Sequence, residues 1–541
     1  MFVRGLLTTT VFISLLFGAP SRAANLIQKA VLGAAVVTNA CNPLPNIIPP
    51  APASHQAFEE WGNKRVEASQ IRIEDKFAPT DKKIAGVTLA APADPKGEYQ
   101  FVWGRDNSII EKEVQHRRDI IEARMQFYRR AIKEGSPGEP RFNPDGSLFK
   151  GPWGRPQIDT SAYRSFRWMD EIDYQLAHGK TPAELKEHYN SALENNPSVK
   201  WDLEYLAHNW RINSFELWEE EEGIHTHPLQ LIHSALDRGA KMAKLFEPEG
   251  ENSAAYLEYF SESQKIKHFL LENAWNKEDG YIHCTLKHTG GFVTKKEPLD
   301  ISVIMGAMDS LEGNPGGSVV YELTDDKLMA TMAQLEKRNS EIYRVNGRFQ
   351  DPKYRGAVAL GRYPEDVFHG GNPWAIATHT GGKYYYLLAK KLRAGGPFKI
   401  TATNFKFYER LMGNEIHELP IGTVIPPGSP LGEKVLLAMR EKGDAYAEIM
   451  REFAPTTENP AEQIGRGYQP GDQGPWVSKY LEQHHAEFAD DKTLDRHSTA
   501  LPGGEPQGAL DLTWNDASFI SMWRARKELL ALEAKVRAAI H

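Results

Sequence analysis

The sequence has very little cysteine and no excess of basic residues. Only Cys41 and Cys284 occur in 541 residues, and Cys41 lies in a proline-rich stretch, so a structural disulfide is not expected. The alternative for Cys41 is a lipid anchor, although Thr38–Asn39 is a poor match to the small apolar residues that usually precede one. The chain has 64 Lys and Arg residues against 72 Asp and Glu residues, and the formal charge of −8 argues against a nucleic-acid-binding protein.

Motifs for phosphate and metal binding are missing as well. The sequence has no Walker A loop, no Rossmann glycine fingerprint after a strand and no His-Glu-x-x-His segment. The pairs His225/His227 and His484/His485 stand alone, which is typical of surface or structural histidines rather than of metal ligands. We therefore expect neither a metal site nor another cofactor.

Long apolar runs are confined to the N-terminus. A basic start at Met1–Arg4, an apolar run at 5–20 and a small-residue site at 21–24 predict a signal peptide over residues 1–23. The apolar run is short for a stable membrane span. Clustered prolines then predict an extended leader or linker over residues 24–56. This organisation predicts a secreted or periplasmic protein.

Alternating strand patterns are scarce, and most of the chain after Ala57 shows helical periodicity. Between Glu111 and Ile132, for example, apolar residues recur at spacings of seven, four, three and four, which places them on one face of a helix. Period-two runs occur mainly at 280–286 and 318–322. The sequence has no fixed-length repeat, which favours a toroid of paired helices over a solenoid. Similar periodicity predicts helices over residues 161–178, 198–218, 229–245, 254–275, 299–311, 324–341, 374–392, 404–413, 433–452 and 517–540.

An acidic cluster, Glu219–Glu222, follows the predicted helix over residues 198–218. Acidic residues at a helix C-terminus oppose the helix macrodipole, so this position is locally unfavourable. Phe215 and Leu217 are close in sequence and indicate partial burial. A carboxyl group in apolar surroundings has a raised pKa and can donate a proton, so the cluster is a candidate for acid catalysis. A solvated helix end is the alternative interpretation.

Tryptophan recurs beside arginine and aspartate in the loops between predicted helices. These segments are Trp103–Asp106, Trp153–Gln157, and Gly361–Asp366 followed by Gly371–Trp374. Arginine and aspartate present forks of hydrogen-bond donors and acceptors, whereas indole rings offer flat apolar faces. This combination is typical of a site for a neutral, polyhydroxylated ligand such as a sugar.

These segments together resemble those of the fungal-type glucoamylases of glycoside hydrolase family 15. Over residues 57–531, the matching segments occur in the family's order: Tyr99–Asp106, Trp153–Gln157, Phe215–Glu220, Gly361–Trp374 and Asp511–Trp514. The resemblance implies an all-α fold, an (α/α)6 toroid, over residues 57–541. It also implies an exo-acting, inverting hydrolase that releases β-D-glucose from the non-reducing ends of α-1,4-linked glucans, and more slowly from α-1,6 links.

The resemblance implies a role for each matching residue. Glu219, the first glutamate after Leu-Trp, would be the general acid that protonates the glycosidic oxygen. Glu220 would bind the neighbouring sugar unit, and Arg105 and Asp106 would hold the hydroxyls of the terminal glucose. The remaining residues expected to contact the substrate are Tyr99, Trp103, Trp153, Leu217, Trp218, Arg362 and Trp374.

The general base is expected upstream of Asp511, as a glutamate followed by a glutamine. Glu462 fits this pattern, and Glu505 is the alternative because it lies closer to Asp511. The segment between them, 465–505, is polar and punctuated by Gly and Pro, so we interpret it as an insertion that borders the active-site mouth. Inversion would place the carboxyls of Glu219 and Glu462 roughly 6.5–9.5 Å apart, with room for a water between base and sugar.

One departure from the family concerns Glu216, which stands where aspartate is usual and predicts an altered rate or specificity. We expect no β-rich starch-binding module after Asp511, and we therefore expect soluble malto-oligosaccharides to be better substrates than granular starch. The expected partner is an α-glucan or malto-oligosaccharide, and the protein is expected to be a monomer. The alternatives are a family-15 enzyme active on trehalose or dextran and a non-catalytic carbohydrate-binding or regulatory homologue.

Overall fold

A computed structural model of the protein describes residues 55–77, 84–94, 97–132, 136–192, 196–483 and 500–540. The predicted signal peptide, the leader up to residue 54, Cys41 and the His484/His485 pair lie outside the described residues. Within the described ranges, no helix combines the length and the apolar character needed to cross a membrane.

Among the described residues, six inner helices form a closed ring in which each packs against the next in chain order and the last packs against the first. The inner helices are α2 (Gly104–Ile110), α4 (Asp159–Ala177), α7 (Thr226–Phe246), α9 (Ser302–Gly313), α11 (Ala375–Ala394) and α15 (Thr513–Ile540). The outer helices are α1 (His55–Phe77), α3 (Arg118–Ala131), α6 (Val199–Asn209), α8 (Ala254–Asn273), α10 (Asp326–Ile342) and α13 (Pro430–Phe453). Inner and outer helices alternate along the chain, which confirms the predicted (α/α)6 toroid. The connections contain three shorter helices, α5 (Lys186–Tyr189), α12 (Phe405–Met412) and α14 (Trp476–Gln483).

Helix α8 illustrates how apolar spacing and a capping residue define a helix. Its buried side chains include Tyr259, Ile266 and Leu270, which recur at spacings of seven and four. The Ser253 hydroxyl caps the N-terminus by accepting a hydrogen bond from the Tyr256 N–H at 3.2 Å. The predicted range, 254–275, therefore differs from the observed helix by two residues at one end.

The strands are short and antiparallel and lie in the connections between helices. The three-stranded sheet has the order β3 (Ser214–Phe215), β4 (Glu221–His225) and β7 (Thr285–Gly291). The two-stranded pairs are β1 (Val102–Trp103) with β2 (Arg141–Phe142), β5 (Trp275–Asn276) with β6 (Tyr281–Ile282), β8 (Phe398–Lys399) with β9 (Val424–Ile425), and β10 (Gln463–Ile464) with β11 (Pro506–Gln507).

The predicted helix over residues 198–218 is wrong in its second half. Helix α6 ends at Asn209, and Phe215 belongs to β3, where its N–H donates to the Pro156 carbonyl at 2.9 Å. The acidic cluster Glu219–Glu222 therefore lies in the β3–β4 turn and the first two residues of β4, and not at a helix C-terminus. The argument from an unfavourable macrodipole does not apply to it. Its first glutamate is marked instead by a left-handed backbone conformation, with φ at 67°.

Two other local predictions are also wrong. The helix predicted from Glu111 begins as a separate 3-10 turn at Glu111–Val114, and α3 starts only at Arg118. Residues 318–322 form a loop instead of a strand. The Asp237 carboxylate holds this loop by accepting the Ser318 N–H at 3.1 Å, which removes that amide from strand pairing.

Candidate active site

Segments that precede the inner helices meet at one end of the ring. Trp103 directly precedes α2, and its indole N–H donates at 3.2 Å to Oε2 of Glu219, which lies in the hairpin before α7. Trp374 directly precedes α11, and its ring lies 5.7 Å from the ring of Trp218. We call the space bounded by these four residues the pocket. Helix N-termini carry a partial positive charge, so this end of the ring suits carboxylates.

Glu219 lies among three N–H donors. Arg105 Nη2 donates to Oε1 at 2.6 Å, and the indoles of Trp103 and Trp153 donate to Oε2 at 3.2 and 2.5 Å. The Glu219 N–H also donates to the Glu216 carbonyl at 2.9 Å within the β3–β4 turn. With 11% of its side chain exposed, Glu219 is fixed from several sides.

Arg105 links Glu219 to a second buried carboxylate. Its Nη1 donates to Gln157 Oε1 at 2.9 Å and to Asp159 Oδ2 at 3.1 Å. The adjacent Asp106 carboxyl lies 3.8 Å from Arg105 Nε. Burial raises the pKa of Asp106 to about 7, against the opposing charge of Arg105. The planar guanidinium, which has partners on several sides, is thereby held in one orientation.

The β3–β4 turn is built around the carboxyl of Glu216. This carboxyl accepts the N–H groups of Trp218, Glu220 and Glu221 at 2.6, 3.1 and 3.3 Å. Burial raises the pKa of Glu216 to about 7, and the Lys295 ammonium, 3.7 Å away, acts in the opposite direction. The side chain that departs from the family pattern therefore organises the whole turn.

A buried ion pair lies next to this turn. Lys295 Nζ donates to Asp300 Oδ2 at 2.8 Å, and the side chains of both residues are at most 1% exposed. The Trp218 indole N–H donates to both oxygens of Asp300 at 3.0 Å. The buried pair holds Asp300 in place, because separating the two charges would leave each one uncompensated. Asp300 in turn fixes the position of the Trp218 ring through its hydrogen bonds with the indole.

Glu220 is held by two neighbouring residues of one loop. Arg362 Nη2 donates to Glu220 Oε1 at 3.0 Å, and the Tyr363 hydroxyl donates to Oε2 at 2.5 Å. Arg362 also donates to both oxygens of Asp366, at 2.7 and 2.6 Å. Its guanidinium carbon lies 4.8 Å from the ring centre of Trp374, a cation–π contact that places Arg362 in the pocket wall.

Glu462 is a second buried carboxyl, with 2% exposure, directly before β10. The Tyr99 hydroxyl donates to its Oε1 and Oε2 at 3.0 and 3.3 Å, and Gln463 Nε2 donates to Oε2 at 3.3 Å. Burial raises the pKa of Glu462 to about 7, although the hydrogen bond from Tyr99 acts in the opposite direction. The Tyr99 ring lies 6.2 Å from the Trp103 ring, so one aromatic wall joins Glu462 to Glu219.

Glu505 has a different environment. Its carboxylate accepts a hydrogen bond from the Tyr480 hydroxyl of α14, and a Cβ added to Gly465 would meet this carboxylate at 1.8 Å. Residues of α14 and of the segment after β11 line a cavity of about 690 Å³ that reaches Tyr99. The described part of 465–505 therefore borders the Tyr99 side of the pocket.

The structure brings the residues predicted from the sequence together in three groups. Trp103, Arg105 and Trp153 contact Glu219, while Tyr99 contacts Glu462, and Arg362 joins Glu220 to Trp218 and Trp374. Leu217 is buried within the β3–β4 turn, at 2% exposure. Asp106 lies beside Arg105 without a direct contact to either catalytic candidate among the hydrogen bonds of the described residues.

The sequence analysis missed several residues that hold the pocket in shape. Some lie inside the matching segments and had a signal there: Gln157, Tyr363 and Asp366. Others lie outside those segments and had no local signal: Asp159, Lys295 and Asp300. Such residues become recognisable only when the fold brings them beside Arg105 or Trp218.

The histidine pair His225/His227 has hydrogen-bond partners within the fold. His225 Nε2 lies 3.1 Å from the Ser214 carbonyl oxygen, and His227 Nε2 lies 3.2 Å from the Tyr163 hydroxyl. The buried Cys284 directly precedes β7, and its carbonyl accepts the N–H of Thr226, between the two histidines, at 2.8 Å. These contacts give the two histidines a structural role.

Comparison with known proteins gives relatives across most of the chain. "Glucoamylase S1" of Saccharomyces cerevisiae is 28% identical over 360 residues, which cover 61% of this chain and 46% of that protein. "Glucoamylase, intracellular sporulation-specific" of the same species is 25% identical over 511 residues, which cover 88% of this chain and 85% of that protein. The alignment thus spans less than half of the first relative and most of the second.

A solved structure shares the fold, and a family profile covers most of the sequence. The structure described as "Glucoamylase from Saccharomycopsis fibuligera at atomic resolution" superposes with a TM-score of 0.69 at 22% identity, covering 88% of this chain and 96% of that one. The profile described as "Glycosyl hydrolases family 15" matches residues 64–524. The chain therefore belongs to glycosyl hydrolases family 15.

Proposed function

We propose that this protein is an exo-acting, inverting glucoamylase that releases β-D-glucose from the non-reducing ends of α-glucans and malto-oligosaccharides. The observation that carries the proposal is the pair Glu219 and Glu462, two carboxyls joined by the wall of Tyr99 and Trp103. Inverting hydrolysis requires two carboxyls roughly 6.5–9.5 Å apart. Relatives that carry the name glucoamylase support this substrate class.

Glu219 is the proposed general acid. Its Oε1 accepts a hydrogen bond from Arg105, and a guanidinium can only donate, so Oε1 remains an acceptor throughout the reaction. The indoles of Trp103 and Trp153 on Oε2 also only donate, but they are neutral, so a proton is less disfavoured on Oε2 than on the oxygen that faces the Arg105 charge. From there it would pass to the glycosidic oxygen as the bond to the anomeric carbon breaks.

Glu462 is the proposed general base. It would accept a proton from a water molecule that attacks the anomeric carbon from the face opposite the leaving group. The Tyr99 hydroxyl stabilises the ionised form that this role requires. Glu505 is a weaker candidate because its tyrosine partner, Tyr480, belongs to α14, whereas Tyr99 joins Glu462 through Trp103 to Glu219.

The terminal glucose would be bound by buried, fixed groups. Arg105 and Asp106 are 3% and 8% exposed, and we propose that they hold the hydroxyls of this first unit. Glu220, fixed by Arg362 and Tyr363, would hold the second unit. A site that grips the end of a chain in this way cleaves one unit at a time, which supports exo-action.

Proton NMR of the anomeric signals during hydrolysis of maltotriose tests the proposal. We expect β-glucose and maltose in the first minutes, before mutarotation, and at least about 10²-fold slower release of glucose by Glu219→Gln. Early α-glucose would mean a retaining mechanism and would contradict the proposal. Parallel assays on trehalose and dextran separate the glucoamylase from the alternative activities, and inactivity on all of these substrates would favour a non-catalytic protein.

We also propose that the protein is exported and monomeric. Export rests on the N-terminal sequence, with Met1–Arg4 followed by an apolar run and a small-residue site before residue 24. The name of one relative includes the word intracellular, so the location of this protein is itself a test of the proposal. N-terminal sequencing of protein recovered outside the cytoplasm should begin after residue 23, and light scattering should give the mass of one chain.

A further inference from the structure

Phe292 combines high exposure with a position beside the pocket. Its side chain is 80% exposed, the highest value among the exposed large apolar residues of the described chain. A single exposed apolar side chain needs no special explanation, so its position decides its meaning. The Phe292 N–H donates to the Glu220 carbonyl at 2.7 Å. The backbone of Phe292 is therefore hydrogen-bonded to Glu220, the residue proposed to bind the second sugar unit.

The backbone around Phe292 is held on both sides. Before it, β7 pairs with β4, with Gly291 opposite Glu221. Gly291 has φ at 99°, and a Cβ there would meet the Glu220 carbonyl oxygen at 2.4 Å, so only glycine permits this close approach. After Phe292, the buried Lys295 is tied to Asp300. These anchors keep the exposed ring beside the pocket.

Other aromatic rings continue from Phe292 toward Glu219. The Phe215 ring lies 6.4 Å from the Phe292 ring, and it packs on Gly154, where an added Cβ would meet it at 2.6 Å. Next to Gly154 is Trp153, which is 37% exposed and donates its indole N–H to Glu219. We call Phe292, Phe215 and Trp153 the aromatic rim. Flat aromatic faces of this kind stack well on the apolar faces of sugars.

We propose that Phe292, with Phe215, forms a binding platform for the third and later glucosyl units of a linear α-1,4-glucan, and so sets the preference for chain length. This inference rests on the proposed function, because the first two units are assigned to Arg105 and Glu220. A disaccharide would fill those two positions and not reach Phe292. A longer chain would leave the pocket over Glu220 and lie against the rim.

Substrates of different length test the platform in the variant Phe292→Ala. We expect kcat/KM for maltotetraose to fall about three- to tenfold, mainly through KM, as for the loss of one aromatic stacking contact. The value for maltose should stay within about twofold, since the change is confined to an exposed side chain. Phe292→Trp should keep the preference for maltotetraose. Phe260→Ala is the matched control, because Phe260 is also an exposed aromatic, 46%, but lies on the outer helix α8.

Binding to a hydrolysis-deficient protein separates the platform from the catalytic proposal. In the Glu219→Gln background, Phe292→Ala should weaken maltotetraose binding by the same factor and leave maltose binding unchanged. That result supports the platform even if the unmodified protein hydrolyses neither sugar. Absence of hydrolysis would refute only the proposed function. Equal losses for both sugars, or no loss for either, would overturn the platform whether or not the protein is active.

Discussion

The hydroxyl of Tyr99 donates hydrogen bonds to both carboxyl oxygens of Glu462, at 3.0 and 3.3 Å. Burial acts on this carboxyl in the opposite sense and raises its pKa to about 7. A general base must be ionised to accept a proton from water. The Tyr99 hydroxyl therefore controls how far the pH can fall before Glu462 becomes protonated and inactive.

Tyr99→Phe should move the acidic limb of the kcat/KM profile to higher pH. The ionised form of Glu462 loses a hydrogen bond, its pKa rises further, and a bond to a charged group is worth enough to shift the limb by about one pH unit. The profile should be measured on maltose. Tyr354→Phe is the control, since the Tyr354 hydroxyl donates to a glutamate away from the pocket, Glu452, at 3.4 Å. An unmoved limb, or one moved to lower pH, would contradict the role of Tyr99.

The roles of the two carboxyls can be separated by the leaving group. Glu219→Gln and Glu462→Gln should each lower kcat on maltose by about 10²–10⁴-fold, the usual contribution of a general acid or base. On α-glucosyl fluoride, whose leaving group needs no proton, Glu219→Gln should recover much of its activity and Glu462→Gln should not. The reverse pattern would exchange the two assignments.

Glu505→Gln is the matched test of the alternative base. Because Glu505 contacts Tyr480 of α14 and is not joined to Glu219 through Tyr99 and Trp103, we expect this variant to keep nearly all activity on both maltose and α-glucosyl fluoride. A loss on both substrates as large as that of Glu462→Gln would transfer the base role to Glu505.

Helices with continuous apolar spacing were predictable, but contacts between distant segments were not. The predicted range 254–275 matches α8 closely because Ser253 and the buried face act locally. The predicted helix over 198–218 fails because Phe215 continues an apolar spacing and yet belongs to β3. That strand pairs with β4, and β4 pairs with β7 at residues 285–291, so the hairpin depends on partners far along the chain.

The same distinction applies to the pocket. Arg105, Trp153 and Arg362 lie in short sequence segments with recognisable composition, so they could be predicted. Lys295 and Asp300 have no such context, and they reach the β3–β4 turn only through the packing of β7 and α9. Lys295 and Asp300 are close in sequence, but their contacts with Glu216 and Trp218 join segments that are far apart, which is why sequence patterns alone miss them.

Burial of Glu462 should make its contribution to stability depend on pH. Its pKa in the folded protein is about 7, above the ordinary value of 4.5, so the folded state binds more protons between these limits. The contribution of Glu462 to the free energy of unfolding therefore decreases as pH rises from 4.5 to 7. The free energy of unfolding of Glu462→Gln minus that of the unmodified protein should therefore be about 1–3 kcal/mol more favourable at pH 8 than at pH 4.5.

Denaturant midpoints at pH 4.5 and pH 8 measure this difference, with the variant and the unmodified protein compared at each pH. Glu458→Gln serves as the control because Glu458 is exposed, and it should show the same difference from the unmodified protein at both pH values. If Glu462→Gln behaves like this control, Glu462 does not pay a burial penalty in the folded state.

Glu216→Asp tests whether the longer side chain is required by this turn. Shortening by one methylene withdraws the carboxyl by about 1.5 Å. The bonds to the Glu220 and Glu221 N–H groups, already 3.1 and 3.3 Å, would then be lost, and the 2.6 Å bond to the Trp218 N–H would be weakened or lost as well. Unpaired buried amides cost about 1–3 kcal/mol each, so we expect a lower melting temperature and a several-fold lower kcat.

The matched control for this shortening is Glu262→Asp, because Glu262 also accepts a hydrogen bond, from the Trp210 indole at 2.8 Å, but lies on the outer helix α8. It should lose some stability and keep its kcat. If Glu216→Asp instead raises kcat, the turn rearranges to bond the shorter carboxyl. The aspartate that is usual in the family would then position Glu219 better than glutamate does. A lower kcat in Glu216→Asp alone would mean that this chain has adapted the turn around glutamate, so that Glu216 positions the proposed acid through the peptide groups of residues 218–221.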